Sequence, residues 1–428
     1  MRFATLACAF LLVASASGQW LETTIAVGDA PRDICYNPAS NRIYCVNSFS
    51  DNVTVIDGTA DTVIATVSTG ASSQPGALCY GVQSSMVYCA NSGGWPNYDS
   101  TVLVIDGTTN EVVAAVPVGR YPTALCYVST TNKVYCANYH SDNVSVIDCA
   151  SNAVVATIPT GVYPYSLCHN PQDNKIYCVN LTSGSVSVID GAADTVVATV
   201  SFPSAPLGLC HNSANDRIYC TNRYSNSVTV IDGVTNGVIE TIALDSELGA
   251  ICYNPLRNKV YCASFGNQSV TVVDGATDVV IAIVSVNGAP EVLYYSPRND
   301  KVYCADYGTN NVAVISGSGD TVVATIGVGN RPLAFGCNPG QNRIYVANWS
   351  GSSVSVIRDS LTVGLEGTPH ASRRTQKTGA TVLHGASGVG RDALGVYYDV
   401  TGRRVTEPKA GLYFVLDQGR VRKVVIAR

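Results

Sequence analysis

The chain has 428 residues, of which 46% are hydrophobic and only 13% charged, with 38 Gly, 24 Tyr and 16 Cys. Its net charge of −5 divides into −10 over residues 1–358, from 15 Lys and Arg against 25 Asp and Glu, and +5 over residues 359–428, from 11 against 6. The acidic body lacks the basic track that phosphate binding needs, which excludes nucleic acid as its partner. No stretch of the mature chain approaches eighteen uninterrupted apolar residues, which excludes a helical membrane span.

Residues 1–18 read as a signal peptide, with Arg2, an apolar run from Phe3 to Val13 and the small residues Ala14-Ser15-Ala16 at a cleavage site. Cys8 does not suit lipid attachment, because Thr5 stands where a bulky aliphatic residue is expected. The mature protein is therefore expected to be secreted or held at the cell surface.

From Ile43 a cassette begins, Ile-Tyr-Cys-Val-Asn followed by Val53-Thr-Val-Ile-Asp57, the first of eight copies. Its Tyr returns at 44, 88, 135, 177, 219, 261, 303 and 345, a period of 42 to 47 residues that matches propeller-blade length. Each unit holds four β-rich runs, in the fourth unit Tyr165–Cys168, Ile176–Val179, Val186–Ile189 and Val196–Val200, parted by turn-forming Asn, Gly, Ser and Asp. An all-β, eight-bladed β-propeller is the expected fold; seven blades with one irregular unit is the alternative. The last unit lacks a fourth strand after Ile357, and Thr23–Gly28 matches the missing one, so the N-terminus is expected to complete the eighth blade.

Six cysteine pairs stand ten residues apart: Cys35/Cys45, Cys79/Cys89, Cys126/Cys136, Cys168/Cys178, Cys210/Cys220 and Cys252/Cys262. A symmetrical hairpin would set each pair on opposed Cα atoms about 4.5 to 5.5 Å apart, a separation that disulfides accept. Intrablade disulfides are the expectation, and thiols packed as small apolar groups the competing one. The spacing suits no zinc site. The repeated Asp57, Asp106, Asp148, Asp190, Asp232 and Asp274 read as turn carboxylates accepting backbone N–H bonds, and the repeated Arg42, Lys133, Lys175, Arg217, Lys259, Lys301 and Arg343 as scaffold.

Function should lie where units differ. The loops joining blades carry Arg32, Arg120, Tyr121, Tyr163, Tyr165 and Arg331; those between second and third strands carry Phe49, Trp95, Tyr98, Tyr139, His140, Arg223, Tyr224, Phe265, Tyr307 and Trp349. Aromatic rings with polar tips suit half-wet binding surfaces. The candidates for ligand or partner binding are Trp95, Tyr98, Tyr121, Tyr139, His140, Tyr163, Arg223, Tyr224 and Trp349, led by Trp95 and Tyr98 on the long loop Ser92–Ser100. No catalytic residue, metal ligand or cofactor is assigned: nucleophile turns, haem motifs and phosphate loops are missing, and His169 and His211 occupy a place that Tyr36, Tyr80, Tyr127 and Tyr253 fill elsewhere.

Through its Tyr-Cys-Val-Asn and Val-Thr-Val-Ile-Asp motifs and its Gly-x-x-Pro blade openings, seen at Gly119–Pro122, Gly161–Pro164 and Gly329–Pro332, the chain resembles the YVTN family of propeller repeats over residues 21–358. Members occur in surface-layer and other exported proteins, and related propellers include lactonases and redox enzymes. The segment Tyr397–Val405, Ala410–Val415 and Arg422–Ile426 resembles the C-terminal sorting domain of the type IX secretion system, a small β-sandwich. This implies a propeller at 19–358, a linker at 359–380, a sorting or anchoring domain at 381–428 and an export machine as partner. The expected function is a non-catalytic binding scaffold for a protein or glycan at the cell surface. A lactonase-like or redox enzyme with its site in the channel and a structural surface-layer element are the alternatives.

Overall fold

A computed structural model describes residues 18–202, 205–244 and 247–359, and five C-terminal strands, Thr381–His384, Val396–Tyr398, Arg404–Val405, Gly411–Asp417 and Arg420–Ala427. The expected leader and linker lie outside the described residues, Gly18 and Asp359 apart. The chain divides into two units, 1–363 and 364–428. In the second, the five strands form one sheet in which Thr381–His384 runs parallel to Arg420–Ala427 and the other pairings are antiparallel.

The first unit is an eight-bladed propeller. In blade 1 the strands are Pro31–Asn37, Arg42–Asn47, Asn52–Asp57 and Thr62–Ser68, paired in sequence order, and six further blades repeat that plan. Blade 8 takes Pro332–Asn338, Arg343–Asn348 and Ser353–Arg358 from the end of the propeller and Trp20–Ala26 from its start. First strands of successive blades touch one another, and blade 8 touches blade 1, so they surround the axis and close the ring. Among the described residues no helix is long and apolar enough to cross a membrane.

Turn chemistry explains the regularity. Asn and Asp tolerate the left-handed backbone region better than other non-glycine residues, and the blade turns use them there, as at Asn41 (φ 51°), Asp51 (49°) and Asp61 (54°) in blade 1. Asp57 Oδ1 accepts bonds of 2.8 Å from the amides of Thr59 and Ala60, and Asp106, Asp148, Asp190, Asp232 and Asp274 repeat this type of contact. The second-strand Tyr of each repeat is fully buried between blades. In seven of the eight, Tyr303 apart, its hydroxyl donates to a turn residue of the next blade, as Tyr135 does to Asp194 at 2.6 Å and Tyr345 to Asp61 at 2.7 Å. Lys133 and Arg343 pair with those same carboxylates at 2.6 and 2.9 Å. The repeated Tyr and Lys/Arg are thus seam fasteners.

The expected intrablade disulfides are corrected by the register. Each first hairpin closes on a four-residue turn, so Asn37 faces Arg42, Cys35 faces Tyr44, and Cys45 faces Ile34. A one-residue offset sends the two thiols to opposite faces of the sheet. Cys79/Cys89, Cys126/Cys136, Cys168/Cys178, Cys210/Cys220 and Cys252/Cys262 follow the same register, and these cysteines are all unbridged. Cys35 packs with Cys89 in the seam between blades 1 and 2, whereas Cys45 packs between blades 8 and 1. Burial pushes the thiols up, Cys126 and Cys168 to about 12, so they remain protonated at neutral pH. The seam arrangement also explains why unit 7 keeps Cys304 although Tyr294 takes the place of the first cysteine: Cys304 faces Leu293 and shares its seam with Cys252, while Tyr294 shares the next one with Val346.

Candidate functional site

The loops joining blades and the turns between second and third strands surround one mouth of the ring, and a cavity of about 820 Å³ opens there. The repeat supplies its inner wall: the second residue after the Pro that opens a blade is Ala77, Ala124, Ser166, Gly208 and Val292 in blades 2, 3, 4, 5 and 7, all small or apolar. Function must come from what departs from this pattern.

The first departure is the blade 2 hairpin. The sequence suggested a loop over Ser92–Ser100; the structure extends the second and third strands instead, to Met86–Gly94 and Asn97–Asp106, with Trp95 and Pro96 at the tip. Gly93 makes the bend, at φ +64° and so close to the returning strand that a Cβ would stand 2.3 Å from the Asp99 amide nitrogen. Trp95 is 82% exposed at the end of this arm.

Below it stands a wall of rings from blades 2, 3 and 4. Tyr98 meets Tyr121 edge-on at 5.1 Å and His140 at 4.3 Å; Tyr121 meets Tyr139 at 5.7 Å; Tyr139 stacks on Tyr163 at 4.3 Å with planes 11° apart and touches Tyr165 at 6.4 Å. The Arg120 guanidinium lies 5.6 Å from the Tyr98 ring centre, within cation–π range. Of the expected binding residues, Trp95, Tyr98, Tyr121, Tyr139, His140 and Arg223 line the cavity. Tyr163 supports the wall through Tyr139 and is not itself a lining residue. Tyr224 is 73% exposed and also outside the lining, and Trp349 forms a separate group with Phe49 (5.9 Å) and Arg331 (5.9 Å). The rings do contact one another across blade boundaries, so the same side chains fill gaps and form a surface.

The second departure escaped the sequence reading. Asp33 and Glu291 are carboxylates at the cavity on the first strands of blades 1 and 7. Burial pushes the Asp33 carboxyl up to about 6, against the pull of two backbone donors, the amides of Leu78 (2.7 Å) and Ile34 (2.8 Å), and of the Arg32 charge. Glu291 is also raised by burial, with Arg223 opposing. The available signal was the break in the small-residue pattern at Asp33, and at Glu291 an acidic side chain where Gly76, Leu207, Gly249 and Leu333 stand in other blades.

Among the described residues no group of three His, Cys, Asp or Glu is arranged to hold a metal. His169 and His211 lie in the first strands at the place of Tyr36, Tyr127 and Tyr253, whose hydroxyls donate to turn Asn residues at 3.0 to 3.1 Å; His211 Nε2 is 3.2 Å from Asp216 in the same way.

The match of a family model to residues 6–298, more than half of the chain, decides the family. The chain belongs to the YNCE-like β-propeller family. No curated relative matches the sequence. Among solved structures, this YNCE-like propeller is similar to a chain of Kuenenia stuttgartiensis hydrazine synthase, with a TM-score of 0.57 and 18% identity over 79% of this chain and 97% of that one. At that identity the likeness shows the fold alone.

Proposed function

We propose that the protein is an exported, non-catalytic binding scaffold that holds a protein or glycan partner at the cell surface through the wall of its mouth cavity. The observation that carries this reading is the wall itself: rings that the repeat does not require, gathered on three adjacent blades under an exposed Trp on an arm of its own. Clusters of Tyr and Trp with Arg nearby have the composition of binding hot spots. The leader at residues 1–18, the YVTN-like repeats and the sorting-domain likeness at 381–428 support export as a proposal.

The test is retention of the protein on the surface of the producing cells, for wild type and for Trp95→Ala/Tyr98→Ala with an unchanged melting temperature. Retained wild type and released variant are expected. Equal retention of both overturns the mouth as the site, and protein kept inside the cell overturns export.

Asp33 and Glu291 favour a second reading, a hydrolase of the lactonase-like kind, because carboxyls shifted toward neutral pH in one cavity can exchange protons with a ligand. Lactone turnover that is lost in Glu291→Gln would establish it; absence of turnover across a lactone panel would dismiss it.

A further inference from the structure

Resting on the mouth reading above, we propose that the ligand is a neutral oligosaccharide chain laid along the Tyr98–Tyr121–Tyr139 wall. Three features of the cavity select it over a folded protein and over a charged polymer.

The first is size. A volume of about 820 Å³ falls within the roughly 300–1,000 Å³ of pockets for small ligands, whereas a stable protein interface takes about 800 Å² from each partner over a broad face. The concave mouth admits a chain a few sugars long.

The second is the chemistry of the wall. A pyranose has an apolar C–H face and a rim of hydroxyls. Tyr and His rings offer an apolar body with a polar tip, and edge-to-face packing holds Tyr98, Tyr121 and Tyr139 in place against one another. Little side-chain freedom is left to lose on binding.

The third is charge balance. Arg32 and Arg223 line the cavity together with Asp33 and Glu291, so two cations meet two anions and neither sign dominates. A polyanion or polycation would meet like charge on part of the ring. Guanidinium and carboxylate groups are both two-pronged hydrogen-bonding partners, which suits pairs of neighbouring hydroxyls on an uncharged sugar. Trp95, an exposed lining residue at the tip of its arm, provides a stacking position that only a longer chain reaches.

The experiment is calorimetric titration of the full-length chain at pH 7 with neutral hexasaccharides of glucose, mannose and xylose, their disaccharides, and a hexameric polyuronate. At least one neutral hexasaccharide is expected to bind, its affinity falling about tenfold or more in Tyr139→Ala and in Tyr98→Ala, each with an unchanged melting temperature. Trp95→Ala should weaken the hexasaccharide several-fold and leave the disaccharide unaffected. Failure of every neutral sugar to bind, binding of the polyuronate alone, or binding indifferent to both Tyr variants overturns the proposal. If neutral sugars fail while surface retention still depends on Trp95 and Tyr98, the ligand class falls and the mouth reading stands. If retention is also indifferent, both fall.

Discussion

At the scale of the residue, Tyr219 shows how a repeated side chain becomes a joint. Its hydroxyl donates to the Asp278 carboxylate of the next blade, which also pairs with Arg217, and the Tyr is fully buried. Tyr219→Phe keeps the ring and removes one bond to a buried carboxylate, so a loss of about 1–3 kcal/mol is expected, read as a lower denaturation midpoint with unchanged cooperativity. Asp33 makes a pH prediction. Its folded-state value of about 6 stands above the 3.8 of a free Asp. The group's contribution to stability is therefore fully present below about pH 4 and is lost as pH rises through 6. Carbon NMR of the Asp33 carboxyl should show a midpoint near 6, and a midpoint below 4 would contradict the assigned desolvation. Neither Asp33 nor the thiol geometry was legible in the residue types. The ten-residue Cys spacing is compatible with two hairpin registers, and only the four-residue turn after Asn37 decides between them. Peptide mapping without reduction should find no Cys35–Cys45 bridge or its equivalents.

At the scale of the element, each seam joins the end of one blade's first strand to the last turn of the next. Asn37 Nδ2 donates to the Gly107 carbonyl at 3.0 Å, and a Cβ on Gly107 would stand 2.4 Å from that nitrogen. Two seams exchange the partners. Cys149 takes the Gly place in blade 3, where Gly81 replaces the Asn of blade 2; Asp359 takes it in blade 8, where Ser296 donates to its carboxylate at 2.8 Å. A side chain lost on one blade admits one on its neighbour, which accounts for a cysteine that the pairing pattern left over. Gly107→Cys should destabilise by about 1–3 kcal/mol through overpacking. Adding Asn37→Gly should restore part of that, with a coupling above about 0.5 kcal/mol; strictly additive effects in denaturant titrations would refute the exchange. The strands, turns and eight-fold count were legible because the period is carried by buried Tyr, Val and Ile at fixed positions. The blade 2 arm was not, because Ser-Gly-Gly-Trp-Pro carries turn signals that a Gly bend converted into strand.

At the scale of the whole molecule, a closed ring depends on its last joint. The N-terminal strand Trp20–Ala26 pairs with Ser353–Arg358 and bulges between Leu21 and Thr23, which leaves Glu22 as the extra residue. Glu22 accepts from Arg343 at 2.9 and 3.0 Å and from Arg358 at 2.5 Å, while Arg343 also meets Asp61 of blade 1 at 2.9 Å. Arg343 thus ties the N-terminal strand, the last blade and the last turn of blade 1 together, with Glu22 as its partner on the N-terminal strand, and repeat arrays otherwise open from their ends. Glu22→Gln should lower stability by about 1–3 kcal/mol, part of the cost of breaking a partly buried pair, and should raise amide exchange in Trp20–Ala26 before any other strand. Closure itself was legible, since Thr23–Gly28 matched the strand missing after Ile357; the ionic knot was not, because it joins residues more than 300 positions apart.

The measurement that bears most directly on the central claim is amide hydrogen exchange of the full-length chain with and without a saturating neutral hexasaccharide. Protection confined to the blade 2 arm and the segments around Tyr121, Tyr139 and Tyr165 would place the ligand on the mouth wall, as the account predicts. Protection on the outer fourth strands, with the mouth unchanged, would contradict it.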